Sequence, residues 1–464
     1  MLYVPGTVLA ADRDLAEDAP AGVEDERWVR YFVGNGGLVG HGWLKHDLAR
    51  AHRMYEVIAK SAAARQHRDY CPLHDWMRER YRLSFVEFQA LGFGLHAGSN
   101  IGDSEGPPVA VTAEYFRPTR IADRVEQGFE AIAAERDWFR EEFERSPEHP
   151  RRAAFEIQPF LRRPALREEV GRIVVLAPRA IEGWLSATGA YYRFFDLARE
   201  RGGEEMERFR RFNGWIQERY VGHLVHVAHP YQERRTLPGS GRVIPEITYR
   251  VRRRGESKTS DAAIDLGVDL VLIEVTAKRI TAKSLVEADA TAVRNDLSML
   301  VVQNMKQLGR VIADIFAGHA TLPDIQPEYM KRIWPVIVSA DGVFQSPSIW
   351  AYTQEKGGAF LDFPRTEVPA EVMPLVLLDL EEFEILMGIV AEGESLVRAL
   401  ERKTSPGWVE RDFKSWHKDD SGRIGNGENA FIAEELRRAF RAIVRALALP
   451  RPEQQAPDKQ REAA

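Results

Sequence analysis

Cysteine is nearly absent from the sequence, with Cys71 the only one in 464 residues. A single thiol excludes an internal disulfide framework and any zinc or iron–sulfur site that needs several cysteines. No apolar run reaches the roughly 18 residues of a membrane span, and the N-terminus lacks the basic segment of a secretory signal. These absences predict a cytoplasmic protein that makes no membrane contact.

Charge of one sign is not in excess either, because 64 Lys and Arg face 70 Asp and Glu, for a formal net charge of -6. This near balance argues against a surface that is basic throughout, but it leaves room for a local basic groove. Hydrophobic residues at 44% and charged residues at 29% are typical of a globular protein. The length predicts two or three domains.

Several common site motifs are also missing. The Gly-x-Gly sequences at residues 34–36 and 92–94 do not follow a buried strand, and there is no Walker A sequence. A dinucleotide-binding loop and a P-loop are therefore excluded. His67, Cys71 and His74 match no common zinc spacing.

The pattern of apolar residues divides the chain into four parts. These parts are an α-helical N-terminal region (1–200), an α/β core (201–345), an α/β C-terminal extension packed on the core (346–449) and a disordered tail (450–464). The first part includes a predicted helix over Ala122–Phe143, and the third includes an acidic amphipathic helix over Leu380–Arg402. The tail is assigned to disorder because it is rich in proline, glutamine and charge.

Within the core, the order of elements is that of a single α/β unit. A long helix from Glu204 to about His229 precedes three short strands, and a second long helix, from about Glu287 to Phe316, leads to another strand. The strands are predicted at Val243–Arg252, Ser260–Leu266, Leu270–Thr276 and Trp334–Ser339. The third has branched apolar residues on both faces, as a buried central strand does.

Two acids stand at matching places in this core. Asp261 opens one strand, and Glu274 lies near the end of the next. If these strands pair as a hairpin, both carboxylates converge at one edge of the sheet. Two carboxylates and a backbone carbonyl suit Mg²⁺ or Mn²⁺, and such a metal polarises a phosphodiester and lowers the pKa of a bound water.

The arrangement resembles the PD-(D/E)xK superfamily of restriction-endonuclease-like nucleases over roughly residues 204–340. The resemblance implies a central mixed sheet flanked by helices, with Asp261 and Glu274 as metal ligands. It also implies that Glu218, from the preceding helix, joins the site, and that Gln303 and Gln307, from the following helix, face it. Five apolar residues of that following helix are then expected to be buried against the sheet: Leu297, Val301, Leu308, Ile312 and Ile315.

The function that the resemblance implies is Mg²⁺-dependent hydrolysis of DNA phosphodiester bonds, in a setting such as bacterial defence or DNA processing. The partners it suggests are DNA and either a second copy of the chain or a defence-system protein. Arg252, Arg253, Arg254 and Arg279, together with the two glutamines, are the predicted nucleic-acid contacts. The arginine run is equally typical of a charged hairpin edge that resists aggregation.

One motif residue is missing, because Thr276 stands where the family has its lysine. A hydroxyl cannot supply the positive charge that stabilises the transition state. Two lysines could take the place of the missing motif lysine. Lys278 shares the strand face with Glu274 and Thr276, and Lys258 would approach the site from the other side.

Three alternatives to the active nuclease remain. The first is a catalytically inactive nuclease-fold protein that acts as a nucleic-acid-binding or scaffolding module. The second is a pair of strand-end acids satisfied by Arg279, Arg252 or solvent. The third is a helical adaptor whose small sheet only supports partner binding.

Overall fold

The computed structural model describes residues 44–99, 110–144, 158–176, 178–229, 241–251, 255–281, 284, 290–340, 347–414, 416–417 and 429–447. The fold is mixed α/β and divides into two compact units. The first unit contains the described parts of residues 43–209 and 435–464, and the second unit contains those of 210–434. The predicted boundary at 345 therefore falls inside the second unit, and the predicted tail lies outside the described residues.

The first unit is mainly helical. Its helices are α1 (Leu44–Ala51, continued as a π-helix over His52–Ile58), α2 (Ala62–Gln66), α3 (Leu73–Tyr81), α4 (Phe85–Ser99), α5 (Val125–Ile132), α6 (Arg136–Glu144), α7 (Gln158–Arg162), α8 (Pro178–Leu185) and α9 (Ala187–Arg201). Aromatic packing holds them together, because the rings of Tyr55, Phe85 and Phe194 lie 5.1 to 5.9 Å apart, and such ring pairs add to the stability from buried area.

A small sheet, which the sequence analysis did not predict, accompanies the helices of the N-terminal region. Its strands are β1 (Ala110–Thr112), β2 (Ala133–Ala134), β3 (Ala165–Glu169) and β4 (Arg172–Val175), in the order β1-β4-β3-β2. The continuous helix predicted over Ala122–Phe143 is also wrong. Ala133 and Ala134 leave the helix because they pair in parallel with β3, and such tertiary pairing overrides the helix propensity of alanine.

The second unit is built around one sheet. Its elements, including two helices that extend past its limits, are α10 (Gly203–Ala228), β5 (Arg242–Pro245), β6 (Thr248–Val251), β7 (Gly255–Lys258), β8 (Ala262–Asp265), β9 (Asp269–Thr276), α11 (Ala290–Leu297, continued as a π-helix over Ser298–Val302), α12 (Gln303–Phe316), β10 (Arg332–Ser339), α13 (Pro347–Gly357), β11 (Glu371–Val372), β12 (Val376–Asp379), α14 (Leu380–Ala391), α15 (Leu396–Lys403) and α16 (Ala430–Leu447). Across the described part of the chain, no helix combines the length and apolar character needed to cross a bilayer.

The main sheet of this unit is mixed. Strand β9 pairs antiparallel with β8 and parallel with β10, while β5 adds antiparallel to β8 at one edge. Both β11 and β12 pair in parallel with β10. The predicted C-terminal extension thus contributes two strands to the same sheet. A separate two-stranded ribbon, β6–β7, leaves the sheet between β5 and β8.

Helices cover both faces of the sheet. One face packs against α11 and α12, and the five helix residues expected to be buried there are at most 2% exposed, which confirms that prediction. The other face lies against α14 and α15, with Ile273 and Val271 near Phe383 and Leu400. Alternate residues of β9 thus face opposite helical layers, as expected for a buried central strand.

Two predicted elements are each divided in the structure. The strand predicted over Val243–Arg252 is two strands, because β5 ends at Pro245 and the chain then turns into the ribbon, where Ile247 N–H donates to Thr259 Oγ1 at 2.8 Å. The helix predicted over Leu380–Arg402 is broken after α14. Gly393 has φ +101°, a conformation that glycine adopts at little cost.

Candidate active site

Asp261 and Glu274 lie opposite one another at the end of the β8–β9 hairpin. The antiparallel register places Ala262 opposite Ile273, so one step further along places Asp261 opposite Glu274. Opposite residues of an antiparallel pair point to the same face of the sheet. The Asp261 carboxylate is fixed there, because its Oδ2 accepts a hydrogen bond of 2.7 Å from the Val275 N–H.

The shared face is the one covered by α12. Ala263 and Leu272, two positions from the acids along each strand, belong to the core against that helix. Gln307 Nε2, on α12, donates to Glu274 Oε1 at 2.6 Å. The structure therefore brings Gln307 to the acids, as the resemblance implied.

Burial and like charge dominate the electrostatics of the pair. Glu274 is 5% exposed, and its Oε2 has no hydrogen-bond partner among the described residues. Burial first, and then the charges of Asp261 and Glu218, raise the pKa of Glu274 well above its usual range. Burial and the charge of Glu218 likewise raise the pKa of Asp261 to about 7. A bound cation would remove the like-charge repulsion that causes part of both shifts.

Two further acids act on this pair. Glu218, on α10, was predicted, and burial followed by the charge of Glu246 raises its pKa. Glu246 was missed by the sequence analysis, although its charge also raises the pKa of both Asp261 and Glu274. It lies in the link between β5 and β6. An acid directly after a proline that ends a strand was the only signal in the sequence.

The two candidate lysines have different surroundings. Lys258 Nζ donates to Glu246 Oε1 at 2.7 Å, and Glu218 and Asp261 also raise its pKa. Lys278 Nζ instead donates to Gln303 Oε1 at 2.9 Å, and burial alone lowers its pKa. Of the two, Lys258 is thus the cation within the electrostatic field of the acids, whereas Lys278 and Gln303 pair with each other along α12.

Three further groups of predicted residues have different positions. Thr276 is 4% exposed, and its carbonyl accepts from the Ala340 N–H, so it is part of the sheet interior. Arg279 is half-buried just beyond β9. The predicted contacts at residues 252–254 lie outside the described residues.

A metal site here would be built on two carboxylates. Within the described ranges, no group of three or more His, Cys, Asp or Glu side chains is arranged to hold a metal ion. Magnesium in proteins commonly uses only one or two carboxylates and completes its shell with water and substrate phosphate. Asp261 and Glu274 fit that donor set, since the unpartnered Oε2 of Glu274 is a buried acceptor with a vacant lone pair.

Fold and site together define an α/β unit with a buried acidic pair at neighbouring strand ends of a mixed sheet. Comparisons of the chain with protein-family models, curated proteins and solved structures find no match. The functional argument therefore depends on the geometry and electrostatics of the site itself.

Proposed function

We propose that this chain is a Mg²⁺- or Mn²⁺-dependent nuclease of the restriction-endonuclease-like type that hydrolyses DNA phosphodiester bonds. The observation that carries the proposal is the buried pair Asp261 and Glu274. Both carboxylates share one sheet face, both have raised pKa values, and one buried oxygen has no partner among the described residues. Groups shifted in this way by burial and like charge are frequent at functional sites.

A structural acid on the same strand provides an internal comparison. Asp269, at the start of β9, accepts hydrogen bonds from Arg332 Nε at 2.6 Å and from Trp334 Nε1 at 3.1 Å. That is how this sheet satisfies a buried carboxylate that only supports the fold. Glu274, near the other end of the strand, has a single neutral amide donor among the described residues. Its buried carboxylate is therefore held at a cost to stability.

In the proposed mechanism, Asp261 and Glu274 would hold the metal, and a bound Mg²⁺ or Mn²⁺ would supply Lewis acidity towards water and the phosphodiester. Gln307 orients Glu274 through its hydrogen bond to Oε1. Glu218, whose pKa is raised, is suited to accept a proton from the attacking water. Lys258 supplies the positive charge for the phosphoryl oxygens, where negative charge builds in the transition state.

A second candidate is supported by the residue at the family's lysine position. Thr276 is buried in the sheet and carries no charge. If Lys258 does not replace the missing lysine, the chain is a catalytically silent module that still binds nucleic acid. Binding without cleavage is the outcome that identifies this second function.

The test is cleavage of plasmid and single-stranded DNA with Mg²⁺ or Mn²⁺, beside Glu274→Gln and a Glu328→Gln control. Glu328 is an exposed acid just before β10, at the opposite end of the sheet from Glu274. We expect wild type and the control to cleave and Glu274→Gln to be inactive. The proposal would be refuted if the wild type neither cleaved nor bound any nucleic acid.

A further inference from the structure

A cationic groove of about 560 Å³ runs along α12 next to the acidic pair. Among the described residues, its lining includes three cations, Lys278, Lys306 and Arg310, and no carboxylate. Gln307 also lines it and donates to Glu274. The groove and the acidic pair are therefore linked through the Gln307 side chain.

One wall of the groove is a single face of α12. Gln303, Lys306, Gln307 and Arg310 recur at three-to-four spacing and so stack along one side of the helix. Lys306 and Arg310 on this side are both exposed. Lys306 is exposed, with its Nζ 5.8 Å over the ring of Phe360, and it has no carboxylate partner among the described residues.

The opposite wall is the 3-10 turn Gly358–Phe360, and main-chain contact fixes its position. A Cβ placed on Gly309 of α12 would lie 2.0 Å from the Phe360 carbonyl oxygen. A Cβ placed on Gly357 would lie 2.5 Å from Met305 Sδ. The turn can approach the helix this closely because Gly309 has no Cβ to meet the Phe360 main chain, whereas a Cβ at Gly357 would only displace the flexible Met305 side chain. The ring of Phe360 is thereby held at the rim, 37% exposed.

We propose that this groove binds single-stranded nucleic acid, with its phosphates on Lys306, Arg310 and Lys278 and a base stacked on Phe360. The inference rests on the proposed function for the reaction and adds the strandedness of the substrate. Successive phosphates need a row of cations, and an aromatic ring at the rim offers stacking to any base. Inside a duplex both faces of a base are covered by its neighbours, so stacking on a side chain requires an unstacked base.

The test measures binding without cleavage, by fluorescence polarisation of labelled oligo-dT, oligo-U and a blunt hairpin duplex in EDTA. The variants are Phe360→Ala, Phe360→Leu and the double variant Lys306→Ala with Arg310→Ala. Lys331→Ala is the control, because this exposed lysine lies at the far end of β10. Circular dichroism and thermal melting confirm that each variant is folded.

We expect wild type to prefer a single strand over the duplex, and each Phe360 variant to bind it about 10-fold more weakly. The double variant should reduce the slope of log K against log salt by about 1.4, or 0.7 for each lost cation. The control should match wild type. Tighter binding of oligo-U than of oligo-dT would assign the groove to RNA rather than DNA.

Equal affinity for duplex and single strand, or Phe360 variants that bind as Lys331→Ala does, would overturn the groove proposal. Failure of the proposed function looks different. In that case the single strand binds and the Phe360 variants weaken it, but no divalent metal produces cleavage. If the wild type cleaves DNA but the variants bind the single strand as the wild type does, the proposed nuclease function is supported and the groove proposal is refuted.

Discussion

Asp261 is an acid whose surroundings oppose its ionised form. Burial and the neighbouring Glu218 raise its pKa to about 7, from an ordinary value of 3.8. Between these two pH values the folded chain binds more protons at this site than the unfolded chain does. The free energy of unfolding therefore falls as pH rises through this window, and the loss is complete above pH 7.

Replacing Asp261 by Asn removes that loss while keeping an oxygen that accepts from the Val275 N–H. In EDTA, we expect Asp261→Asn to be more stable than wild type at pH 8 and to lose that advantage towards pH 4. A shift of roughly 3 pKa units corresponds to at most about 4 kcal/mol. Denaturant unfolding at both pH values measures it. A variant less stable than wild type at pH 8 would contradict the buried, ionised carboxylate.

Lys258 and Lys278 can be separated by their effects on rate. Because Lys258 bonds to Glu246 and interacts with the acids, we expect Lys258→Ala to reduce the cleavage rate about 100-fold, the usual cost of one electrostatic stabiliser. Single-turnover cleavage with saturating protein is the measurement.

Lys278→Ala should keep a single-turnover rate within a few-fold of wild type, since its Nζ bonds to Gln303. Lys331→Ala controls for the loss of a surface lysine. The reverse result, with Lys278→Ala inactive and Lys258→Ala unaffected, would show that Lys278 supplies the positive charge of the missing motif lysine.

At the scale of elements, the site is made where β8 begins, one residue after Asp261, while β9 continues past its last residue paired with β8. The Val275 N–H, beyond the end of the β8 ladder, is satisfied by the Asp261 side chain instead of a strand. Helix α12 covers this end of the two strands, and its Gln307 donates a hydrogen bond to Glu274. A carboxylate at a strand end is thus positioned by a backbone amide on one side and a helix on the other.

This arrangement predicts a pH effect of Gln307. Its amide donates to Glu274 Oε1, which favours the ionised carboxylate. Gln307→Ala should therefore move the acidic limb of the pH–rate profile to higher pH, while the plateau rate changes less. The matched control is Gln303→Ala, which removes a glutamine one turn earlier on the same helix. An unshifted profile in Gln307→Ala would show that Gln307 only packs against the acid.

At the scale of the whole molecule, metal binding should be visible as added stability. A ligand that binds only the folded chain stabilises it by about 2.7 kcal/mol at 100 times its Kd. We expect Mg²⁺ to raise the Tm of the full chain at pH 8, and to raise it less at pH 5.5, because protons then occupy Asp261 and Glu274. Differential scanning fluorimetry with and without EDTA measures this.

In the same assay, Glu274→Gln should abolish the shift and Glu328→Gln should keep it. A shift that persists in Glu274→Gln would place the metal elsewhere on the molecule.

The sequence by itself determined the features that depend on neighbours along the chain. The continuous apolar run of β9, the spacing of apolar residues in α12 and the adjacency of two short strands are local patterns, and they were enough to place Asp261 opposite Glu274. The buried face of α12 could also be predicted, since a 3.6-residue period of apolar residues specifies which face of a helix packs against a sheet.

Only the tertiary structure decided which distant side chains meet. Glu246 reaches the acids because the chain turns into the ribbon after Pro245, and Lys258 follows it there through their ion pair. The groove exists because Gly309 admits the Phe360 turn against α12. The small sheet of the first unit arises because β3 recruits two alanines that would otherwise be helical. Such contacts join segments far apart in the chain, where packing and hydrogen bonding outweigh local propensity.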